Sequence, residues 1–239
     1  MSIIRPFSLL IFAAIGISPT LYAQDKDKPT PIKIRAVLHD PAQPDAELFY
    51  PDPSGALLPI ELRPLDLTDT LLMQPINGSL VLFDKAIIDP KKPEESLAGS
   101  IKLPADLKQA ILLILPTSGG AKPHYQLLLV DDSPAKFPGG ESRVLSLINF
   151  DVAIQAGEHK ISCHPGAFTR VPAVTKVDEF NMAQTNFYYQ RDDSWMTFTE
   201  RQLQYLNASR RLFIVHATPG ALQPTVTTIF DITRNQTTQ

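Results

Sequence analysis

The chain has one cysteine, Cys163, in 239 residues. A lone thiol closes no internal disulfide, so it is either buried and inert or free to pair between chains. Lysine and arginine form no cluster and the formal net charge is -3, which removes any general attraction to nucleic acid or anionic lipid. Past the first two dozen residues no apolar run nears the roughly 20 residues that a bilayer crossing needs. No G-x-S-x-G, H-E-x-x-H, phosphate-binding loop or dinucleotide glycine pattern occurs. A spaced run of oxygen ligands for calcium is missing too. The expectation is no catalytic residue, no metal and no cofactor.

What is present starts with the leader. One positive charge at Arg5 precedes an almost wholly apolar stretch from Pro6 to Ile17, followed by SPTLYA. That is the plan of a secretory signal peptide over 1–23, with cleavage expected after Ala23. Losing Arg5 takes the net charge from -3 to -4. Residues 24–30 then read as a flexible polar segment, and 31–235 as the folded part. A chain of that size buries a sizeable core without covalent staples. The expected location is periplasmic or extracellular.

Twenty-two prolines, spread along the chain, punctuate short apolar runs. Helices tolerate that poorly, whereas short strands joined by turns accept it. IKIRAVL (32–38) alternates. SLVLF (79–83) follows Asn77-Gly78, a hairpin dipeptide. ILLIL (111–115) and YQLLLV (125–130) read as a buried hairpin, and TNFYYQ with WMTFTE as another across Arg191–Ser194. RLFIVHA and TVTTIFDI close the chain. ADLKQA (105–110) and ERQLQYL (200–206) each read as one helical turn at most. The fold class is all-β: an antiparallel sandwich, immunoglobulin-like or a meander, or two packed β sub-domains. The polar segment 87–96 is either a join between sub-domains or a surface loop, and a loop is favoured.

HKISCHPG (159–166) holds the cysteine and two of five histidines. In a strand, His159, Ile161 and Cys163 share one face, and Lys160, Ser162 and His164 the other. Residues four apart lie roughly 13 Å apart at about 3.3 Å per residue, too far for one ion to take both His159 and Cys163. Cys163 reads best as a small buried hydrophobe. A hydrolase or redox site joining Cys163 to a distant histidine is a third alternative. Adjacent acids at Asp131-Asp132 and Asp192-Asp193 read as turn residues. The aromatic group Phe187, Tyr188, Tyr189, Trp195 and Phe198 divides between the faces of a hairpin. Hairpin packing explains it, and exposed Trp195 with Tyr188 or Tyr189 is the alternative, a sugar-stacking surface.

One block carries a resemblance. Asp131, Asp132, Ser133, Phe137, Pro138, Gly140, Arg143, Asn149, Pro165 and Gly166 fall in the order Asp-Asp-Ser, Phe-Pro-x-Gly, Arg, Asn, Pro-Gly. This resembles an uncharacterised family of exported bacterial all-β proteins. The resemblance implies export and a strand-rich fold, and it brings no activity. Read physically, the block is a rigid corner. Pro138-Gly139 suits a tight turn, Arg143 is placed to reach back to Asp131 or Asp132, and Asn149 is suited to a left-handed hairpin corner. The leading functional expectation is a non-enzymatic interaction or structural module of the cell envelope or secretome. Its partner is a protein or a polysaccharide, not nucleic acid.

Overall fold

A computed structural model describes residues 29–40, 46–117, 122–218 and 220–233. The expected leader and most of the polar segment after it lie outside the described residues. Regular structure is almost wholly β, as proline-punctuated apolar runs require. Among the described residues no helix is long and apolar enough to cross a membrane.

The first half contains β1 (Ile32–Leu38), β2 (Phe49–Pro51), β3 (Leu57–Pro59), β4 (Leu71–Met73), β5 (Ser79–Phe83), β6 (Leu97–Lys102), β7 (Gln109–Pro116) and β8 (Tyr125–Asp131). They form two four-stranded sheets, ordered β4-β1-β7-β8 and β3-β2-β5-β6. The sheets close on Ile32, Ile34, Leu80, Leu82 and Leu112, all essentially without exposure. Alternation in β1 is what points Ile32 and Ile34 inward while Lys33 stays in solvent. Asn77 and Gly78 both take left-handed backbone, at φ 50 and 73, and bridge Ile76 to Ser79. Segment 87–96 lies in the connection between the paired neighbours β5 and β6. It holds a short 3-10 turn at Pro93–Ser96 and is a loop within one sheet.

The second half contains β9 (Ser142–Ser146), β10 (Val152–Ala156), β11 (His159–Cys163), β12 (Phe168–Val171), β13 (Met182–Arg191), β14 (Ser194–Gln204), β15 (Ser209–His216) and β16 (Thr225–Ile232). Its sheets run β12-β9-β15-β16 and β11-β10-β13-β14. Adding eight to every strand number of the first half reproduces the second. The chain folds one topology twice. The passage between the copies falls at 132–141.

Register makes the repeat exact to the residue. Arg35 stands opposite Ile111, and Arg143 opposite Leu212. Ile111 stands opposite Val130, and Leu212 opposite Ile229. The amide of Asp132 bonds Gln109 O, where the second copy pairs Arg210 with Asp231. Arg35 thus corresponds to Arg143, Gln109 to Arg210, and Asp132 to Asp231.

Two features depart from the sequence reading. The pairs β1–β7 and β9–β15 are parallel, so neither inner sheet is purely antiparallel. In each copy the chain leaves its first strand, builds the outer sheet, and returns beside its start, the long crossover that parallel pairing needs. ERQLQYL is also no helical turn: through Gln204 it belongs to β14, paired along its length with β13. Cross-strand pairing overrides the helix preference of Glu, Gln and Leu.

The two sandwiches pack back to back through their inner sheets. Val37, Ile111, Leu113 and Val130 meet Leu145, Leu212, Ile214 and Ile229, with Phe137 among them. These are the same positions in the two copies, so the interface is related by a pseudo-two-fold. Strands run in the same sense across it. Arg35 reaches Asp231 at one end, and the rings of His39 and His216 meet at 4.7 Å at the other. Strands β7 and β15 are therefore buried on both faces, which is why ILLIL (111–115) and LFIV (212–215) are continuous apolar runs.

Candidate functional site

The thiol comes first because it is the one obvious nucleophile. Cys163 ends β11 facing the second core, with no exposed surface. Burial pushes its pKa up to about 11, against a small opposing effect from Thr169. Its neighbours have other work. His159 Nε2 lies 3.1 Å from Ala173 O, and His164 is exposed beside Asp151 Oδ1 at 3.7 Å. No group of three or more potential metal ligands occurs among the described residues.

The 131–143 corner is the connection between the sandwiches. Asp131 Oδ1 accepts from the Ser133 amide at 2.9 Å, a local turn bond. Asp132 accepts from Arg35 Nε and Nη2, each at 3.0 Å, and from Arg210 Nη2 at 2.7 Å. Asp231 accepts from Arg35 Nη1 at 2.7 Å and Arg210 Nε at 3.0 Å. Burial pushes the Asp231 carboxyl up, but the bonds and charge of Arg35 and Arg210 outweigh it and hold it below the usual range. Two arginines and two aspartates, one of each from either copy, lock the sandwiches together; the aspartates occupy equivalent positions and the arginines do not. Every charge in this cluster is answered, which makes it a clamp with no idle acid or base.

Arg143 does not reach Asp131 or Asp132. It donates to Lys136 O, lies 3.9 Å from Glu141 Oε2, and sits over the Phe137 ring at 5.1 Å. Arg210 has already filled the carboxylate, and it flanks Phe137 as well, at 4.5 Å. Phe137 is wholly buried. The positive φ expected after Pro138 falls on Gly140, at 83°, whose amide bonds Ser209 O at 2.8 Å. Gly139 is needed for closeness: a Cβ there would lie 2.0 Å from Asn207 O. Asn149 is not left-handed and sits in an open bend leading to the other sheet. Pro165-Gly166 does turn, with Gly166 at φ 72 bonding Ser146 O.

The aromatic hairpin supplies the broad surface. A bulge at Phe187/Tyr188 shifts the pairing, so Phe198 turns inward against Phe187 and Tyr189. Tyr189 is 5% exposed and belongs to the core side. Tyr188 points outward, and Trp195, opposite Gln190, is 47% exposed. The turn between them is Asp192-Asp193, both left-handed, at φ 48 and 60.

Around Tyr188 the outer face carries amides. Gln184 Nε2 donates to Asn186 Oδ1 at 2.6 Å, Asn186 Nδ2 to Tyr188 Oη at 3.2 Å, and Tyr188 Oη to Gln155 Oε1 at 3.3 Å. Thr197 stands opposite Tyr188, and one cross-strand row reads Lys160, Gln155, Asn186, Glu200. Gln155, Gln184 and Asn186 were not singled out from the sequence. Their signal was the alternation of Gln184, Asn186 and Tyr188 at every second position. Hollows of about 300 and 320 Å³ lie elsewhere, at Lys122 and Pro123 and at Pro104 to Asp131 in the first sandwich.

No protein-family model matches the chain, and no curated protein matches it. Among solved structures, a candidate cell adhesion protein from Bacteroides uniformis aligns over 88% of this chain and 99% of its own, at 6% identity and a TM-score of 0.21. A likeness that weak says nothing of what this chain does.

Proposed function

We propose that the chain is a non-enzymatic interaction module working outside the cytoplasm, and that its working surface is the outer face of β11, β10, β13 and β14. The observation that carries the reading is this face itself: four strands wide, polar, hydrogen-bonded in place, with Trp195 exposed at its margin. An open sheet face on a packed scaffold is suited to contact rather than to enclosing a reaction. The groups with chemical potential point the same way. Cys163 is buried with its thiol pushed up to about 11, which leaves a negligible share of thiolate at neutral pH. The arginine–aspartate cluster is saturated. The signal peptide expected over 1–23 from the sequence supports export.

The test has two arms. Purified mature protein is assayed on ester, phosphate ester, glycoside, peptide and disulfide substrates, with no turnover expected; turnover lost in Cys163→Ala would overturn the reading. A photo-crosslinking side chain is placed at Thr197 or at Leu58, on the outer sheet of the first sandwich. In cells of an exporting host, adducts are expected from Thr197 alone. Equal labelling from both positions would remove the assigned face.

A further inference from the structure

The outward side chains of this face make an unusual set for a protein surface. Lys160 and Glu200 sit at opposite ends of one cross-strand row, with only Gln155 and Asn186 between them. Along the neighbouring rows the outward residues are Ser162, Ala153, Tyr188 and Thr197, and then Gln184 with Gln202. The middle of the face is uncharged. It holds no arginine or lysine to neutralise a polyanion, and no apolar centre of the kind that anchors protein interfaces.

Resting on the reading above, we propose that this face binds a neutral polysaccharide. Trp195 and Tyr188 stack on its sugar rings, while Gln155, Gln184 and Gln190 exchange hydrogen bonds with its hydroxyl groups. A sugar hydroxyl both donates and accepts, and a primary amide does the same. Among the described residues the amide nitrogen of Gln155 and the amide oxygen of Gln184 have no partner, since the chain of bonds from Gln184 to Gln155 uses only their other atoms. That chain of bonds also fixes Asn186 and the Tyr188 ring before any ligand arrives, so less order is lost on binding. Tyr188 and Trp195 are diagonal neighbours on adjacent strands, roughly 7–8 Å apart at the backbone, close enough for one polymer to lie over both. Charge complementarity selects the class: a face uncharged across its middle, with Lys160 and Glu200 only at its edges, meets an uncharged chain.

The duplicated topology supplies an internal control. The corresponding outer sheet of the first sandwich has strands of three, three, five and six residues, and no outward tryptophan.

Trp195 is the sole tryptophan, so its emission reports on this face alone. The protein is titrated with hydroxyethylcellulose, laminarin, xylan, dextran and, as the polyanion, polygalacturonate. At least one neutral polymer is expected to shift the emission and to retard the protein in an affinity gel, and polygalacturonate to do neither. Tyr188→Ala and Gln155→Ala are each expected to weaken binding tenfold or more without moving the thermal midpoint by more than a few degrees. Binding to no neutral polymer, or preference for polygalacturonate, would overturn the proposal. So would neutral-polymer binding that both substitutions leave intact. If polymers fail while Thr197 still crosslinks, the glycan assignment falls and the interaction face stands; if both fail, both are lost.

Discussion

The two sandwiches share one topology and differ in how they finish it. Their inner sheets pack against each other and are held to the same register and matching apolar positions. Their outer sheets face water and have diverged. In the first sandwich β5 and β6 have five and six residues; in the second β13 and β14 have ten and eleven. The lateral seams differ as well. Gly99 lets β6 approach so closely that a Cβ would stand 2.9 Å from Tyr125 O. In the second copy Arg201 of β14 spans the gap instead, donating to Thr228 Oγ1 and Val226 O on β16. The lesson is that a buried face constrains its own duplicate, while a solvated face is free to lengthen and acquire amides and aromatics.

That comparison breaks most directly at the clamp. Arg35→Ala leaves Asp132 and Asp231 short of a partner in a half-buried site, and a loss of about 3–4 kcal/mol is expected. Urea unfolding followed by near-UV dichroism and by Trp195 emission is expected to show one transition in the wild type. In the variant the midpoint falls and the two probes separate. An unchanged midpoint would mean the halves do not depend on each other.

The other end of the interface gives the next effect. Burial, reinforced by His216 and opposed by Asp40, lowers the His39 pKa from 6.5 to about 4. The folded state therefore prefers neutral His39. Stability is full above pH 6.5 and falls as pH drops toward 4, by roughly 2–3 kcal/mol from this group. Urea midpoints at pH 7 and 4.5 measure the slope, and His39→Leu is expected to flatten it.

A smaller loss tests the closed seam. Gly99→Val must push β6 away from Tyr125 O and the Leu127 side chain, at a cost of about 1–3 kcal/mol, readable as a lower thermal midpoint. Glycan binding by the other sandwich is expected to survive. The smallest effect is a gain. Asp193 sits at φ 60 in the β13–β14 turn, where Asp193→Gly relieves left-handed strain worth about 0.5–1 kcal/mol; the midpoint is expected to rise by a degree or more.

Strand content, the ILLIL and TNFYYQ hairpins and the inward Cys163 were legible because alternation and continuous apolar runs report burial directly. The duplication was not. Its copies retain only a few equivalent side chains, such as Arg35 with Arg143 and Asp132 with Asp231, and pairing partners as far apart as Arg35 and Ile111 or Arg143 and Leu212 leave no local pattern. The three-residue strands β2, β3 and β4 are too short to show a period. Tyr188 and Tyr189 could not be told apart by position alone, since the bulge that turns Phe198 inward changes the phase of one strand only. Asp132 was noticed, yet its arginines come from the first strand and from β15, distances that only the fold closes.

Parallel alignment of the sandwiches also decides which way the molecule points. Pro29, held by Gln74, and Thr233, held by Ala208, mark the ends of the described chain. Both lie at the end of the strands that carries the arginine–aspartate clamp, and the Asp192-Asp193 tip lies at the other end. Pro29 and Thr233 thus share the pole opposite that tip. Held at Pro29 or at Thr233, the molecule would present its long hairpin outward, like a hand at the end of an arm.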